Sequence, residues 1–175
     1  MKKQKISAKT VAFLAMMIAL ALVFSYVETL IPINFGIPGV KLGLANLVIV
    51  AALYLIGGKE AFLVSVVRIF LSGFMFGNLA SIMYSLAGGL LSLAVMLILK
   101  KTDKLSILAV SVLGGICHNI GQLIVAILVV ENLKLIFYVP VLLISGFVTG
   151  LLIGIVSRVI LPAVRRAYAA DKIGR

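Results

Sequence analysis

The segment GGICHNIGQL, residues 114–123, places three side chains capable of specific hydrogen bonding inside a long apolar run. His118 and Gln122 are four residues apart, so a helix would carry them on one face, with Asn119 about 100° around the helix from His118. Imidazole and amide groups could bind a polar ligand, or they could tie neighbouring helices together by hydrogen bonds. Both interpretations predict that these side chains face the interior of a bundle.

The residues needed for metal or nucleotide chemistry are sparse. An enzyme that holds Mg²⁺ against a diphosphate needs clustered carboxylates, and the five carboxylates here are far apart in the sequence. A single histidine cannot make a zinc site alone, and Cys117 would point away from His118 on a helix. The chain also lacks the G-x-x-x-x-G-K-[ST] nucleotide loop. We therefore expect no catalytic residue, no metal site and no cofactor, and the protein is not expected to be an enzyme.

The composition is typical of an integral membrane protein, with 63% hydrophobic and 12% charged residues. The formal net charge of +11 could indicate a nucleic-acid partner in a soluble protein. Here the basic residues lie mostly between and beyond the apolar runs, so they indicate orientation in a lipid bilayer. The bilayer is therefore the expected partner, and no nucleic acid is expected.

The apolar runs predict a single all-α domain, residues 1–175, with six transmembrane helices at about 9–30, 43–57, 60–76, 79–99, 105–130 and 135–161. The second and third runs are short and are separated only by GGKE at 57–60, so one bent or re-entrant pair is the alternative. The first run could be a cleaved signal peptide ending at Ala21. Because the run continues through Val27, we expect a retained helix.

Basic residues divide unequally between the two sides of this six-helix topology. One side carries Lys2, Lys3, Lys5, Lys9, Lys59, Lys100, Lys101, Lys104, Arg165, Arg166, Lys172 and Arg175, with Arg158 near the end of the last helix. The other side carries Lys41 and Lys134. The positive-inside rule therefore predicts that both termini are cytoplasmic.

Polar residues from several predicted helices fall between the middle of the membrane and the outer surface. An arginine near the bilayer centre costs at least about 2.5 kcal/mol on insertion scales, so Arg68 should face the interior. We expect a ligand cavity open to the outside, lined by Lys41, Asn46, Arg68, Asn78, Tyr84, His118, Asn119 and Gln122. Arg68 could pair with Glu28, or its counter-charge could come with an anionic ligand.

Small residues recur at four-residue spacing on three helices. Gly146, Gly150 and Gly154 form a stripe on the last helix, and Gly73 with Gly77 forms a shorter one on the third. Such stripes allow close approach of another backbone, so we interpret them as internal helix packing. Ala15 and Ala19 make a similar pair on the first helix, which could serve internal packing or a partner subunit.

Three segments carry a resemblance to a known family: PGVKLGLAN at 38–46, VVRIFLSGFMFG at 66–77 and GGICHNIGQL. Together they resemble the Gx transporters, a family also labelled heptaprenyl diphosphate synthase component I, over the chain up to about Pro162. That family is similar to the substrate-binding S-components of energy-coupling factor (ECF) vitamin transporters.

The resemblance implies a six-helix protein of the bacterial cytoplasmic membrane that binds a small molecule from outside. It also implies that small alanines of the first helix, which Ala15 and Ala19 match, meet a coupling T subunit carried with separate ATPase subunits. The expected function is thus uptake of a small, anionic or hydrogen-bonding, vitamin- or cofactor-like molecule. The alternatives are a non-catalytic accessory subunit of heptaprenyl diphosphate or quinone synthesis, and an assembly or channel-like protein.

Overall fold

The computed structural model describes residues 8–31 and 43–173, with side chains through Arg166, and within them it is all-helical. The elements are α1 (Ala8–Leu30), α2 (Asn46–Leu55), α3 (Gly58–Phe76), α4 (Leu79–Lys101), α5 (Ile107–Val130), a short 3₁₀ helix (Leu133–Tyr138) and α6 (Val139–Ile173). The predicted all-α class is therefore confirmed. Of the predicted site residues, Lys41 lies outside the described residues.

Four helical segments are long and apolar enough to cross a membrane: Ala8–Leu30, Leu79–Lys101, Ile107–Val130 and Leu133–Arg166. The sequence predicts six such spans. Helix α2 has only 10 residues, which rise about 15 Å, roughly half the thickness of a bilayer core. Helix α3 has 19 residues, but Lys59, Glu60 and Arg68 lower its hydropathy. The structure thus supports a multi-pass helical membrane protein with four candidate spans among its six α-helices.

Helix α2 lies near the middle of the bundle and packs against α1, α3 and α6, with a smaller contact to α4. Its side chains are apolar nearly all round, which is typical of a helix enclosed by other helices. Val48, Ile49, Val50, Ala52 and Leu53 are all buried and belong to the main hydrophobic core. The short central helix is therefore held in place by packing on several sides.

The C-terminal end of α2 is capped by cations from other helices. Lys100 of α4 donates from Nζ to the Leu53 carbonyl at 2.6 Å and lies over the Tyr54 ring at 5.0 Å from its centroid. Arg165 of α6 donates from Nη2 to the Tyr54 carbonyl at 3.3 Å. These contacts bring basic residues from α4 and α6 to one end of the bundle, which we call the basic end. There they complement the exposed carbonyls and negative dipole of α2.

The predicted glycine stripe of α6 lies directly against the backbone of α5. A Cβ atom at Gly146 would come within 2.7 Å of the Gly115 carbonyl oxygen, and one at Gly150 within 2.7 Å of the Ser111 carbonyl oxygen. Both distances are too short for real carbon atoms. Glycine at these positions therefore lets α5 and α6 approach more closely than side chains would allow. Gly154 continues the contact, against Leu108.

The second predicted stripe divides into two different roles. Gly73 packs against Ile82 of α4, as expected for a helix contact. Gly77 lies one residue beyond the end of α3, where its N–H donates to the Gly73 carbonyl at 3.1 Å. It therefore closes the helix rather than lying within a packing face. Helix α6 also runs beyond the predicted end at residue 161 and continues through Pro162 to Ile173.

Candidate functional site

The buried stripe of α1 ends in two polar residues. Met17, Ala21, Ser25 and Glu28 are the buried residues of this helix, and their spacing of four, four and three places them on one face. Glu28 is 7% exposed, and its Oε1 accepts a hydrogen bond from the backbone N–H of Gly43. The carboxylate of α1 is thereby tied to the chain that enters α2.

Gly43 is the meeting point of three elements. Its φ of +84° lies in the left-handed region that favours glycine. A Cβ atom there would come within 3.0 Å of Asn46 Nδ2 and 3.2 Å of His118 Nε2. The start of α2, the end of α1 and the middle of α5 therefore meet around this residue, and a side chain at 43 would press on both predicted site residues.

Arg68 lies on α3, is 3% exposed and faces the bundle interior, as its charge predicts. Its Nη1 donates to Ser25 Oγ at 3.5 Å, a weak contact. Nε and Nη2 are buried without a hydrogen-bond partner among the described residues. These two nitrogens form one edge of the guanidinium, the edge that pairs with two oxygens of a carboxylate or phosphate. Glu28 interacts electrostatically with Arg68, but the described hydrogen bonds include none between them.

His118 and Gln122 of α5 lie against Gly88 of α4. A Cβ atom at position 88 would come within 2.6 Å of the His118 carbonyl oxygen and 2.8 Å of Gln122 Cγ. Gln122 is 0% exposed, yet neither its Nε2 nor its Oε1 has a hydrogen-bond partner in the described part of the chain. The His118 ring also lies against Gly88, where a Cβ atom would come within 3.1 Å of Nδ1, and His118 interacts electrostatically with Arg68. Helix α5 thus brings an imidazole close to the Arg68 charge, with the unbonded Gln122 amide one turn away on the same face.

Asn119 differs from its neighbours because it does link two helices. Its Nδ2 donates to the Leu142 carbonyl of α6 at 2.8 Å, whereas its Oδ1 has no partner among the described residues. This bond joins α5 to the backbone near the start of α6. Of the three polar residues in GGICHNIGQL, Asn119 is therefore the one with a clear structural role.

Two further predicted site residues do not join this cluster. Asn78 is exposed and forms the N-cap of α4, where its Oδ1 accepts from Ser81 N–H at 2.8 Å and Ser81 Oγ accepts from Asn78 N–H at 2.9 Å. Its side chain is thus committed to a capping box. Tyr84 is buried in a separate apolar cluster with Leu123, Ala126 and Leu142. The structure therefore places Asn78 and Tyr84 outside the group of polar residues around Arg68.

The polar residues described above define what we call the central polar cluster: Ser25, Glu28, Asn46, Arg68, His118 and Gln122, with Asn119 at its edge. Sequence analysis missed Ser25, Gly43 and Gly88 as parts of it. The spacing of Ser25 and Glu28 with Met17 and Ala21 was a usable signal for an inward face. The roles of Gly43 and Gly88 depend on contacts between helices, which one sequence does not reveal.

Ala15 and Ala19 lie on an exposed face of α1 and not in the internal core. Their neighbours Met16 and Val23 are 53% and 56% exposed. In the most apolar 18-residue stretch of α1 only 17% is buried inside the bundle, compared with 44% in the corresponding stretches of α4 and α5. This face, which we call the outer face of α1, is available to lipid or to another protein.

The described residues contain no group of three or more His, Cys, Asp or Glu side chains placed to hold a metal ion. What the geometry offers is a buried set of hydrogen-bond donors and acceptors around one arginine. Fold and site together define a multi-pass helical membrane protein with a polar centre.

Residues 17–160 match the family model described as heptaprenyl diphosphate synthase component I, and the chain belongs to this family. The family label expected from the three motifs is therefore confirmed. The match includes every residue of the central polar cluster. No curated protein and no solved structure was found to match the chain.

Proposed function

We propose that this protein is a membrane-embedded substrate-binding subunit that takes up a small hydrogen-bonding molecule at the central polar cluster. The observation that carries the proposal is the Arg68 guanidinium edge, which is buried in the bundle interior and, like the Gln122 amide of α5, has no hydrogen-bond partner among the described residues. A polar group buried without a partner costs about 1–3 kcal/mol, and a charged one more. A ligand that bonds to these atoms would recover that cost.

The contrast between Asn119 and Gln122 favours ligand binding over helix linkage. Asn119 shows what a linking residue does here, because it donates to a carbonyl of the neighbouring helix. Gln122 is three residues further along the same helix and is equally buried, yet it makes no such bond within the described chain. A residue kept only to join helices would be expected to make the bond.

The donors and acceptors present indicate the chemistry of the ligand. The Nε and Nη2 edge of Arg68 matches two oxygens, as in a carboxylate, a phosphate or a pair of carbonyls. Gln122 offers one donor group and one acceptor, so it suits an amide-like edge of the ligand. Because Glu28 interacts with Arg68, charge balance alone does not require an anion. A vitamin- or cofactor-sized molecule with both features fits a pocket of about 300–1,000 Å³.

Uptake also requires an energy source and a defined topology. We expect a separate ATPase module joined through a coupling T subunit, and the exposed Ala15 and Ala19 are consistent with contact to such a partner. Both termini would be cytoplasmic in a topology of six crossings. The gathering of Lys100 and Arg165 at the basic end supports that orientation under the positive-inside rule. The membrane would be the bacterial cytoplasmic membrane.

The family description favours a second candidate, an accessory subunit of heptaprenyl diphosphate synthesis, since a component I implies other components. In that role the chain would contribute no catalysis, because its carboxylates are too dispersed to hold Mg²⁺ against a diphosphate. Affinity purification distinguishes the two candidates. An ATPase module recovered with the protein supports uptake, whereas a soluble prenyltransferase supports the accessory role.

The direct test is native mass spectrometry of the full chain extracted in a mild detergent. We expect a small molecule to be retained by the wild type and lost from Arg68→Gln and from Gln122→Ala. Ser157→Ala is the matched control, since Ser157 is also buried without a hydrogen-bond partner in the described chain but lies on α6, apart from the cluster. Equal retention in all three variants, or no small molecule in the wild type, would contradict the proposal.

A further inference from the structure

A pocket of about 570 Å³ lies at the basic end of the bundle, between the start of α5 and the end of α6. It is lined by Ile107, Arg158, Leu161, Pro162, Arg165 and Arg166. The α6 residues recur at intervals of three and four, so the three arginines share one helix face. The described lining contains no Asp or Glu, and a pocket of this composition favours an anion.

The N-terminus of α5 adds donors to the same place. A smaller pocket of about 300 Å³ shares Ile107 and Arg158 with the first and adds Ser106 and Leu108. Ser106 caps the helix, its Oγ accepting from the Ala109 N–H at 3.2 Å. The N–H groups of Ile107 and Leu108 precede the first intrahelical bonds and point toward the helix end. A helix N-terminus beside guanidinium groups suits a phosphate.

The arginine pocket also borders an apolar cavity. Leu161 lines both the arginine pocket and a partly open cavity of about 170 Å³ between α1, α2 and α6. The other residues of this cavity include Leu20, Phe24, Val48 and Ile160. Free phosphate would gain no binding energy from an apolar cavity. A phosphate attached to a hydrocarbon chain could contact the arginine pocket with its headgroup and the apolar cavity with its chain.

We propose that the arginine pocket binds the phosphate headgroup of an anionic membrane phospholipid, with an acyl chain against the apolar cavity at Leu161. Arg158 and Arg166 are exposed and face the headgroup. Arg165 contributes through its remaining donors, since its Nη2 already bonds to Tyr54. Basic pockets between transmembrane helices are known to select such headgroups. This site is separate from the central polar cluster, so it does not depend on the proposed uptake function.

The test is lipid binding by the purified full chain in detergent, measured by native mass spectrometry with added phosphatidylglycerol or phosphatidylcholine of identical acyl chains. We expect the wild type to prefer phosphatidylglycerol. The double variant Arg158→Gln/Arg166→Gln should bind it roughly 30-fold more weakly, from the contribution of two cations near a membrane surface. Lys59→Gln/Lys101→Gln removes the same charge from exposed positions outside the pocket and should change binding by no more than about threefold because those charges are screened.

Equal weakening in the two double variants would overturn the proposal, since it would show attraction by surface charge alone. Inorganic phosphate that displaces phosphatidylglycerol at equal concentration would also overturn it, because the site would then recognise free phosphate. If the double arginine variant does not fold, Arg158→Gln and Arg166→Gln are measured singly. Each should lose part of the preference for phosphatidylglycerol, and an unchanged preference in both would contradict the assignment.

Discussion

Gly88 of α4 lies against the backbone of His118 of α5, so close that a Cβ atom at position 88 would come within 2.6 Å of the His118 carbonyl oxygen. This approach sets the distance between the two helices at the level of the central polar cluster. It also places Gln122 Cγ at 2.8 Å from the same point. The position of the buried amide therefore depends on the absence of a side chain at residue 88.

Gly88→Ala should lower both stability and ligand retention. The colliding atom is a backbone oxygen that cannot rotate away, and overpacking of this kind costs about 1–3 kcal/mol. Gly89→Ala is the matched control, because its nearest neighbours are side-chain atoms, Ile69 Cδ1 at 3.1 Å and Ser65 Oγ at 3.5 Å. Monodisperse protein remaining after heating, measured by size-exclusion chromatography, reports stability. Equal thermal stability of the two variants would contradict the close packing described.

Gln122→Met should stabilise the ligand-free protein while abolishing ligand retention. Methionine has nearly the same shape, and it removes an amide that is buried with unmet hydrogen bonds, worth about 1–3 kcal/mol. Asn119→Leu should act in the opposite direction, because it breaks the bond to the Leu142 carbonyl, with a loss of about 1 kcal/mol. Thermal stability in detergent checks both. A destabilised Gln122→Met would indicate that Gln122 links helices after all.

The all-helical class and the presence of several apolar membrane-crossing segments could be predicted from the sequence because apolar runs broken by Gly, Lys and Glu are strong signals in a membrane protein. The inward direction of Arg68 followed from its charge. The start of α2 at Asn46 was harder to predict, since Leu44 and Ala45 are also apolar and the left-handed φ of +84° at Gly43 does not follow from the sequence pattern. A polar residue before an apolar run has two explanations, an N-cap and a ligand contact, and the structure shows Asn78 in the capping role.

Lys100→Met should destabilise the bundle by about 1 kcal/mol. Hydrogen bonds to charged groups contribute about 1.5–3 kcal/mol, and this one is only partly buried, so a smaller value is expected. The substitution removes the donor to the Leu53 carbonyl and the contact with the Tyr54 ring. Lys101→Met is the control, because Lys101 is exposed and makes no such contact with α2 among the described interactions. The same thermal assay in detergent compares them, and a larger effect at 101 would rule out the proposed cap.

The orientation of the bundle can be checked by cysteine labelling in intact cells. Because Cys117 is native, the assay uses a Cys117→Ser background with single cysteines at 59, 102 or 134. The positive-inside rule places residues 59 and 102 in the cytoplasm and residue 134 outside. A membrane-impermeant maleimide should therefore label only the cysteine at 134. Labelling at 102 without permeabilisation would overturn the six-crossing topology.

Substitutions on the outer face of α1 test whether this face binds a coupling subunit. Ala15→Leu/Ala19→Leu adds bulk on an exposed face, so folding and ligand retention should be preserved while co-purification of the coupling subunit is lost. Ala21→Leu is the contrasting variant, because Ala21 is 0% exposed and the added atoms would overpack the core at a cost of about 1–3 kcal/mol. Size-exclusion profiles separate loss of folding from loss of association. A double variant that folds and still co-purifies with its ATPase module would remove Ala15 and Ala19 from the interface.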